Sequence, residues 1–194
     1  GVISLPAFED LVRSDTALVT AMLVNNEIGS VQPIAQMAKI LKRKNPKAYL
    51  HVDAVQGYCK VPCNVRELGV DLLSISGHKI HGPKGIGVLY VKKGTRLAPV
   101  LYGGGQQDNL RPGTENVPGI AGLGAGLSYL QKIGIEKIHK RECQEAKRCV
   151  EGLKKLGFCV FAGEHQSGTV SFVPTDDCEE VAQKLAQRNI AVRA

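Results

Sequence analysis

The strongest constraint on this chain is a recurrence: short aliphatic, β-branched runs alternate with segments whose apolar residues fall at helical spacing. Ser4 can cap a short helix beginning near Pro6 with Phe8, Leu11 and Val12 on one face; residues 17–24 (ALVTAMLV) read as a buried strand, and Pro33 then opens a helix with Ile34, Met37, Ala38 and Leu41 on one face. Residues 48–52 (AYLHV) give the next strand, and Gly57 and Pro62 break the chain before a short helical stretch at 65–68. Two further runs, 71–75 (DLLSI) and 86–91 (IGVLYV), are each short and apolar enough to be buried strands. This alternation predicts an α/β fold, a mostly parallel sheet with helices on both faces. Ligands of such sheets bind in the crevice outside the carboxyl ends of the strands, so chemistry is to be sought just after each run.

Three polar groups fall there: Asn26 in NNEIG, Asp53 with Gln56 in HVDAVQ, and Ser76, His78 and Lys79 in the stretch SGHKIHGPKGIG at 76–87. Lys79 is flanked by His78, His81 and Lys84, so neighbouring positive charge and partial burial are expected to disfavour its ammonium and make it a better nucleophile. Taken singly, each residue also has an ordinary explanation: Asp53 caps a turn, Gln56 faces water, His78 is a hydrogen-bonded structural histidine. Together they supply what a pyridoxal phosphate site requires. That set is a lysine amine for the Schiff base, a carboxylate for the pyridinium nitrogen, and hydroxyl and imidazole donors for phosphate.

Residues 102–116 (YGGGQQDNLRPGTEN) form a glycine-rich loop without periodicity, longer than a compact domain normally keeps unless it binds something. Arg111 and Thr114, beside Pro112 and Gly113, make it a plausible anion cradle. Asn116 then caps a helix with Pro118 just inside it and Ile120, Leu123, Leu127 and Leu130 on its buried face. That helix carries Gly119, Gly122, Gly124 and Gly126; glycine costs about 1 kcal/mol against alanine in a helix, so this number predicts another backbone packed closely against it.

A composition shift at Gly134 divides the chain into residues 1–133, a portion of a large ligand-binding domain, and 134–194, an incomplete small α+β domain. In the latter a helix over 135–156 places Cys143, Ala146, Cys149, Val150 and Leu153 on one stripe, both cysteines being expected in the core. Residues 158–161, 169–173 and 190–192 read as strands. Asp176 with Glu179 resembles a capping box for a last helix with Val181, Ala182 and Leu185 inward.

Composition narrows the classes further. The chain has 194 residues, 43% hydrophobic and 22% charged, with a formal charge of +7. Its basic residues are scattered and no aromatic-interleaved stripe is present, so an anionic small ligand or an acidic partner protein fits the charge better than nucleic acid does. No apolar run approaches the length of a membrane span. The six cysteines, at 59, 63, 143, 149, 159 and 178, include no C-x-x-C pair and no zinc-finger spacing, so no metal site is predicted. Free thiols and the lack of a secretory signal suit the reducing cytoplasm. The chain starts at Gly1 and ends at Ala194 directly after a strand-like run, which gives both ends the look of cuts.

The ordered series NNEIG, HVDAVQ, SGHKIHGPKGIG and RPGTENVPGI resembles the fold-type I pyridoxal phosphate enzymes of the class V aminotransferase group, and most closely the cysteine desulfurases. The resemblance covers essentially the whole chain. It implies that Lys79 forms the Schiff base with pyridoxal phosphate and that Asp53 pairs with the ring nitrogen. Gln56 and Asn26 would bond the cofactor near its phenolic oxygen, Ser76 and His78 would hold its phosphate, and Thr114 would reach the cofactor of the neighbouring subunit in a homodimer. The implied reaction takes L-cysteine to L-alanine and leaves the sulfur as an enzyme persulfide, destined for a sulfur-acceptor or scaffold protein and for iron-sulfur cluster or other sulfur-containing biosynthesis. In that family the final NIAVRA precedes the loop bearing the nucleophilic cysteine, so this nucleophile is expected past Ala194 and the chain as given is expected to be inactive alone. Two other readings stay open: another class V enzyme, such as a small-amino-acid aminotransferase or selenocysteine lyase, and a non-catalytic interaction module.

Overall fold

A computed structural model describes residues 1–163 and 165–194. Four of the apolar runs become five-residue strands: β1 (Leu18–Met22), β2 (Tyr49–Asp53), β3 (Leu72–Ser76) and β4 (Gly87–Val91). They form one sheet in that order, β1, β2 and β3 parallel and β4 antiparallel to β3. The register places Met22 of β1 and Ser74 of β3 beside Asp53 of β2. The mostly parallel sheet expected from the alternation is therefore present.

One face of the sheet holds the core. The helix α1 (Leu5–Leu11), capped by the Ser4 hydroxyl, buries Phe8 and has Val12 just past its end. The helix α2 (Ile34–Lys44) buries the four residues its periodicity marked, Ile34, Met37, Ala38 and Leu41, in one cluster with Leu50, Val52 and Leu73 of the sheet. Each of these side chains larger than alanine contributes about 1.5–3 kcal/mol on burial. The basic last turn of α2 favours the helix dipole and also ties the layer together. Lys42 Nζ donates to the Ala48 carbonyl at 2.7 Å and to Asp71 at 2.9 Å, and Arg43 meets Glu9 at 2.7 Å. Leu11, placed on the inner face by its spacing, is 77% exposed, because Leu5, Phe8 and Val12 take the side that packs on the core.

Past the short α3 (Val65–Leu68) and β4, the loop 102–116 runs in turns to Asn116, whose side chain caps α4 (Val117–Ile133) through the Gly119 amide. A second apolar cluster of Cys59, Ile80, Leu123 and Leu130 sits beneath α4. The glycines expected to admit a neighbouring backbone do so at Gly126, while at Gly122 the close neighbour is the Pro83 ring. A Cβ at Gly126 would stand 2.6 Å from the Ile80 carbonyl oxygen, and one at Gly122 would stand 2.9 Å from Pro83; Gly124 faces open space. Residues 77–83, which carry Lys79, are thus pressed against α4.

The helix α5 (Ile135–Lys155) buries Ala146 but leaves Cys149 exposed and Cys143 half-buried, so only part of the predicted stripe is core. The strands β5 (Cys159–Phe161) and β6 (Ser171–Val173) pair antiparallel, and α6 (Cys178–Ala186) follows. Asp177, not Asp176, caps α6, its carboxylate accepting from the amides of Glu179 and Glu180. Residues 190–192 form no strand; Ile190 and Val192 are exposed, with no ladder among the described residues for them to join. The run at 86–91 is a strand but not a buried one: β4 is an edge, and Val88 and Leu89 are about half exposed.

Segment 165–171 packs onto the turn after β1. Gln166 Nε2 donates to the Ile28 carbonyl at 2.7 Å, the Ser167 amide donates to Gly29, and the Ser171 hydroxyl donates to the Glu27 carbonyl. Gly29, at φ +73°, has no room for a side chain, since its Cβ would lie 2.2 Å from the Thr169 carbonyl oxygen.

Candidate active site

The parallel strands β1, β2 and β3 point their carboxyl ends the same way, and five of the seven residues singled out from the sequence lie at or just after the ends of β2 and β3. Asp53 closes β2, half-buried, and its Oδ1 accepts the Val55 amide at 2.9 Å. That single bond leaves acceptor capacity on the carboxylate. Gln56, three residues on, is half-buried and lines a cleft of about 890 Å³ between α4, α5 and residues 167–170. Ser76 closes β3, its hydroxyl 2.8 Å from His78 Nδ1. Lys79 follows in the single 3-10 turn Gly77–Lys79, half-buried while His78 is exposed.

The turn is held from several sides. The Gly77 amide donates to Ile86 at 2.9 Å, and the Gly77 carbonyl accepts from Ile80 and Gly82. A Cβ on Gly77 would stand 2.7 Å from Ile86. Apolar packing of Ile80 under α4 fixes the other side. The lysine therefore projects from an anchored backbone rather than a free loop. Of the basic residues expected around it, His81 turns toward α4, edge-on to Tyr129 at 5.9 Å, while Lys84 is exposed.

The two remaining residues stand apart. Asn26 is exposed on the turn after β1, where the neighbouring Asn25 does the structural work by accepting the amides of Glu27 and Ile28 at 2.9 Å. Thr114 is exposed in the 102–116 loop. Arg111 folds back on that loop, donating from Nη1 to the carbonyls of Gly113 and Thr114 at 3.1 and 3.4 Å, so that one nitrogen of the guanidinium is committed to the loop itself.

The cysteines do not converge on Lys79 either. Cys59 is buried and Cys63 half-buried; burial raises both thiols, Cys63 to about 11 with a further push from Cys59. Cys143 sits 3.7 Å from His139 Nδ1, a nitrogen that donates to the Lys60 carbonyl at 2.6 Å. Cys149 is exposed at the edge of the cleft that Gln56 shares.

One group near the strand ends escaped the sequence reading. His51 lies on β2 two residues before Asp53, with Nδ1 2.8 Å from the Thr20 hydroxyl of β1 and Nε2 2.8 Å from the Ser74 hydroxyl of β3. A polar residue at period two with Asp53, inside an otherwise apolar run, was the available signal.

The family model for aminotransferase class-V matches residues 1–194. The chain belongs to that family. Class V members depend on pyridoxal phosphate, and among curated relatives this class V chain is 44% identical over 156 residues to the cysteine desulfurase IscS of Methanosarcina thermophila, covering 80% of this chain and 38% of the relative. Solved structures agree. A NifS-like protein superposes with a TM-score of 0.91 at 37% identity, and the apo cysteine desulfurase of Thermococcus onnurineus NA1 with 0.93 at 32%; each match covers 100% of this chain and 53% of the other. The class V chain thus spans about half the length of these solved structures and less of the curated relative. The likeness read from its motifs agrees with these matches.

Proposed function

We propose that this chain is the cofactor-anchoring portion of a cysteine desulfurase, converting L-cysteine to L-alanine and passing the sulfur on as an enzyme persulfide. The observation that carries the reading is the convergence of Lys79, Asp53, Ser76 and His78 at the carboxyl ends of two adjacent parallel strands. These groups fit pyridoxal phosphate, which when bound supplies an electron sink for the bonds at the amino acid's α-carbon. Lys79 would hold the cofactor through its amine. Asp53, with one oxygen on the Val55 amide, keeps acceptor capacity for a ring N–H. The Ser76 hydroxyl and His78 imidazole, 2.8 Å apart, offer neighbouring donors to a phosphate. Gln56 and Asn26 would bond the cofactor near its phenolic oxygen, and Thr114 would serve the cofactor of a second subunit in a homodimer.

In this reading Cys59 and Cys63 are not the sulfur-accepting nucleophile, since a thiolate is required and burial raises both thiols. A sulfur-acceptor protein, a role in iron-sulfur cluster assembly, a cytoplasmic setting and a division into residues 1–133 and 134–194 belong to the same proposal. Among the described residues no helix is long and apolar enough to cross a membrane. The test is spectroscopic. The full-length protein incubated with pyridoxal phosphate should develop a visible absorption band that Lys79→Ala abolishes; a protein that stays colourless refutes the assignment. Alanine and persulfide formation from L-cysteine then separates a desulfurase from an aminotransferase of the same family.

A further inference from the structure

The three strands whose ends deliver Asn26, Asp53 and the Ser76–Lys79 turn are joined, one step below those ends, by a single imidazole. His51 reaches Thr20 on β1 through Nδ1 and Ser74 on β3 through Nε2, each at 2.8 Å. The bridge spans all three parallel strands on the sheet face opposite the Leu50 and Val52 core. Side chains two residues apart share a face and stand about 7 Å apart along a strand, so Asp53 is the next group up from His51 and Ser76 the next from Ser74. Ser74 is moreover the register partner of Asp53. The His51–Ser74 bond therefore runs diagonally between the strand carrying the carboxylate and the strand carrying the lysine turn. Either neutral tautomer satisfies both hydroxyls, since each hydroxyl can donate or accept.

We propose that His51 is a positioning residue for the cofactor site: through Thr20 and Ser74 it fixes the offset between the ends of β1, β2 and β3, and hence the placement of Asp53 relative to Ser76 and Lys79. The proposal rests on the pyridoxal phosphate reading above. Placement at this level matters because a misplacement of about 1 Å can cost on the order of a hundred-fold in function. The bridge also belongs to the protein without cofactor, so it can be seen independently.

The experiment compares full-length wild type with His51→Leu, His51→Gln, Ser74→Ala and, as a control for lost stability alone, Val52→Ala on the buried face. Three quantities are measured: imidazole ¹⁵N signals without cofactor, the pyridoxal phosphate dissociation constant, and the pH midpoint at which the visible band titrates. Wild-type His51 should show both ring nitrogens hydrogen-bonded. His51→Leu should weaken cofactor binding about ten-fold or more and move the midpoint, because the contact between carboxylate and ring is displaced. Ser74→Ala should do the same in lesser degree, and it serves if His51→Leu does not fold. His51→Gln, which keeps a donor and an acceptor, should recover most of the affinity, and Val52→Ala should leave the midpoint in place. The proposal is overturned if His51→Leu matches wild type in affinity and midpoint, or if Val52→Ala reproduces its effects. Wild-type protein that takes up no cofactor while its imidazole signals are as expected overturns the cofactor reading instead, and this proposal with it.

Discussion

Alanine substitution at two glycines of α4 separates helix propensity from backbone contact. At Gly124 a new Cβ meets nothing within 4 Å, so Gly124→Ala should stabilise the protein by up to about 1 kcal/mol through the ordinary preference of a helix for alanine. At Gly126 the same atom would stand 2.6 Å from the Ile80 carbonyl oxygen and 3.1 Å from the Gly82 amide nitrogen, where ordinary contact begins at 3.4 Å. Both neighbours are backbone of the segment around Lys79 and cannot rotate away. The helix and that segment must part by about 0.8 Å, the shortfall from ordinary contact.

Overpacking of this kind costs about 1–3 kcal/mol, which outweighs the propensity gain or cancels it. The two variants should therefore differ by about 1–3 kcal/mol, and at about 2–4 °C per kcal/mol for this size a thermal melt resolves them. Pyridoxal phosphate affinity is the second readout, expected to fall in Gly126→Ala and to hold in Gly124→Ala. If alanine at 126 stabilises as much as alanine at 124, the contact between α4 and the lysine turn does not exist as described.

Three further predictions concern Asp71, the thiols and Asp53. Asp71 is 5% exposed; burial alone would raise its carboxyl, but hydrogen bonds from Lys42 and the Leu50 amide and the charges of Lys42 and Lys92 together hold it below the usual carboxylate value. A folded value below the unfolded one gives stability that is present above about pH 4 and lost as pH falls through the folded value, so Asp71→Asn should destabilise the protein at pH 7 by about 2–3 kcal/mol, read as a lower urea midpoint, and flatten the acid side of the stability profile. With a thiol-specific reagent at pH 8, the exposed Cys149, Cys159 and Cys178 should react at once and Cys59 and Cys63 only on unfolding; since Cys63 is pushed up to about 11, fast labelling of native Cys63 at pH 8 would contradict its burial. On the proposed desulfurase reading, Asp53→Ala in the full-length protein should still capture cofactor through Lys79 yet form alanine from L-cysteine at least about a hundred-fold more slowly, and unchanged turnover would remove Asp53 from its proposed role.

The sequence reading succeeded where one local rule decided the outcome and failed where partners from distant elements did. Ile34, Met37, Ala38 and Leu41 were legible because a single amphipathic helix on a sheet needs only its own period. Asn116 as a cap was legible because the bond it makes is to its own helix. Leu11 and Cys149 were misplaced by the same period, since the width of the buried stripe depends on what lies opposite: Phe8 and Val12 beside the one and Ala146 beside the other are buried, and these two are not. Asp176 lost the cap to Asp177 by one residue, a choice made by backbone direction at the turn.

The same division explains the site. Lys79, Asp53 and Ser76 could be placed because strand ends are marked in the sequence and parallel strands bring their ends to one edge. Arg111 could not, because whether a guanidinium faces a ligand or its own loop is decided by the fold of that loop, and here it turns inward to Gly113 and Thr114. His51 was hidden for a further reason: its partners Thr20 and Ser74 are 31 and 23 residues away, and only the parallel register brings Thr20 beside it and Ser74 to the diagonal position. The consequence is that the residues proposed to do chemistry are more visible in the chain than those holding them in place. Support for Lys79 comes from Gly77, Ile86 and Gly126, two of them glycines with no side chain to announce a role. A substitution map of cofactor affinity should therefore show sensitivity well outside the SGHK motif, concentrated on the α4 face at Gly122 and Gly126 and on the His51 row, whereas a map confined to the motif residues would mean that the turn holds its shape without that support.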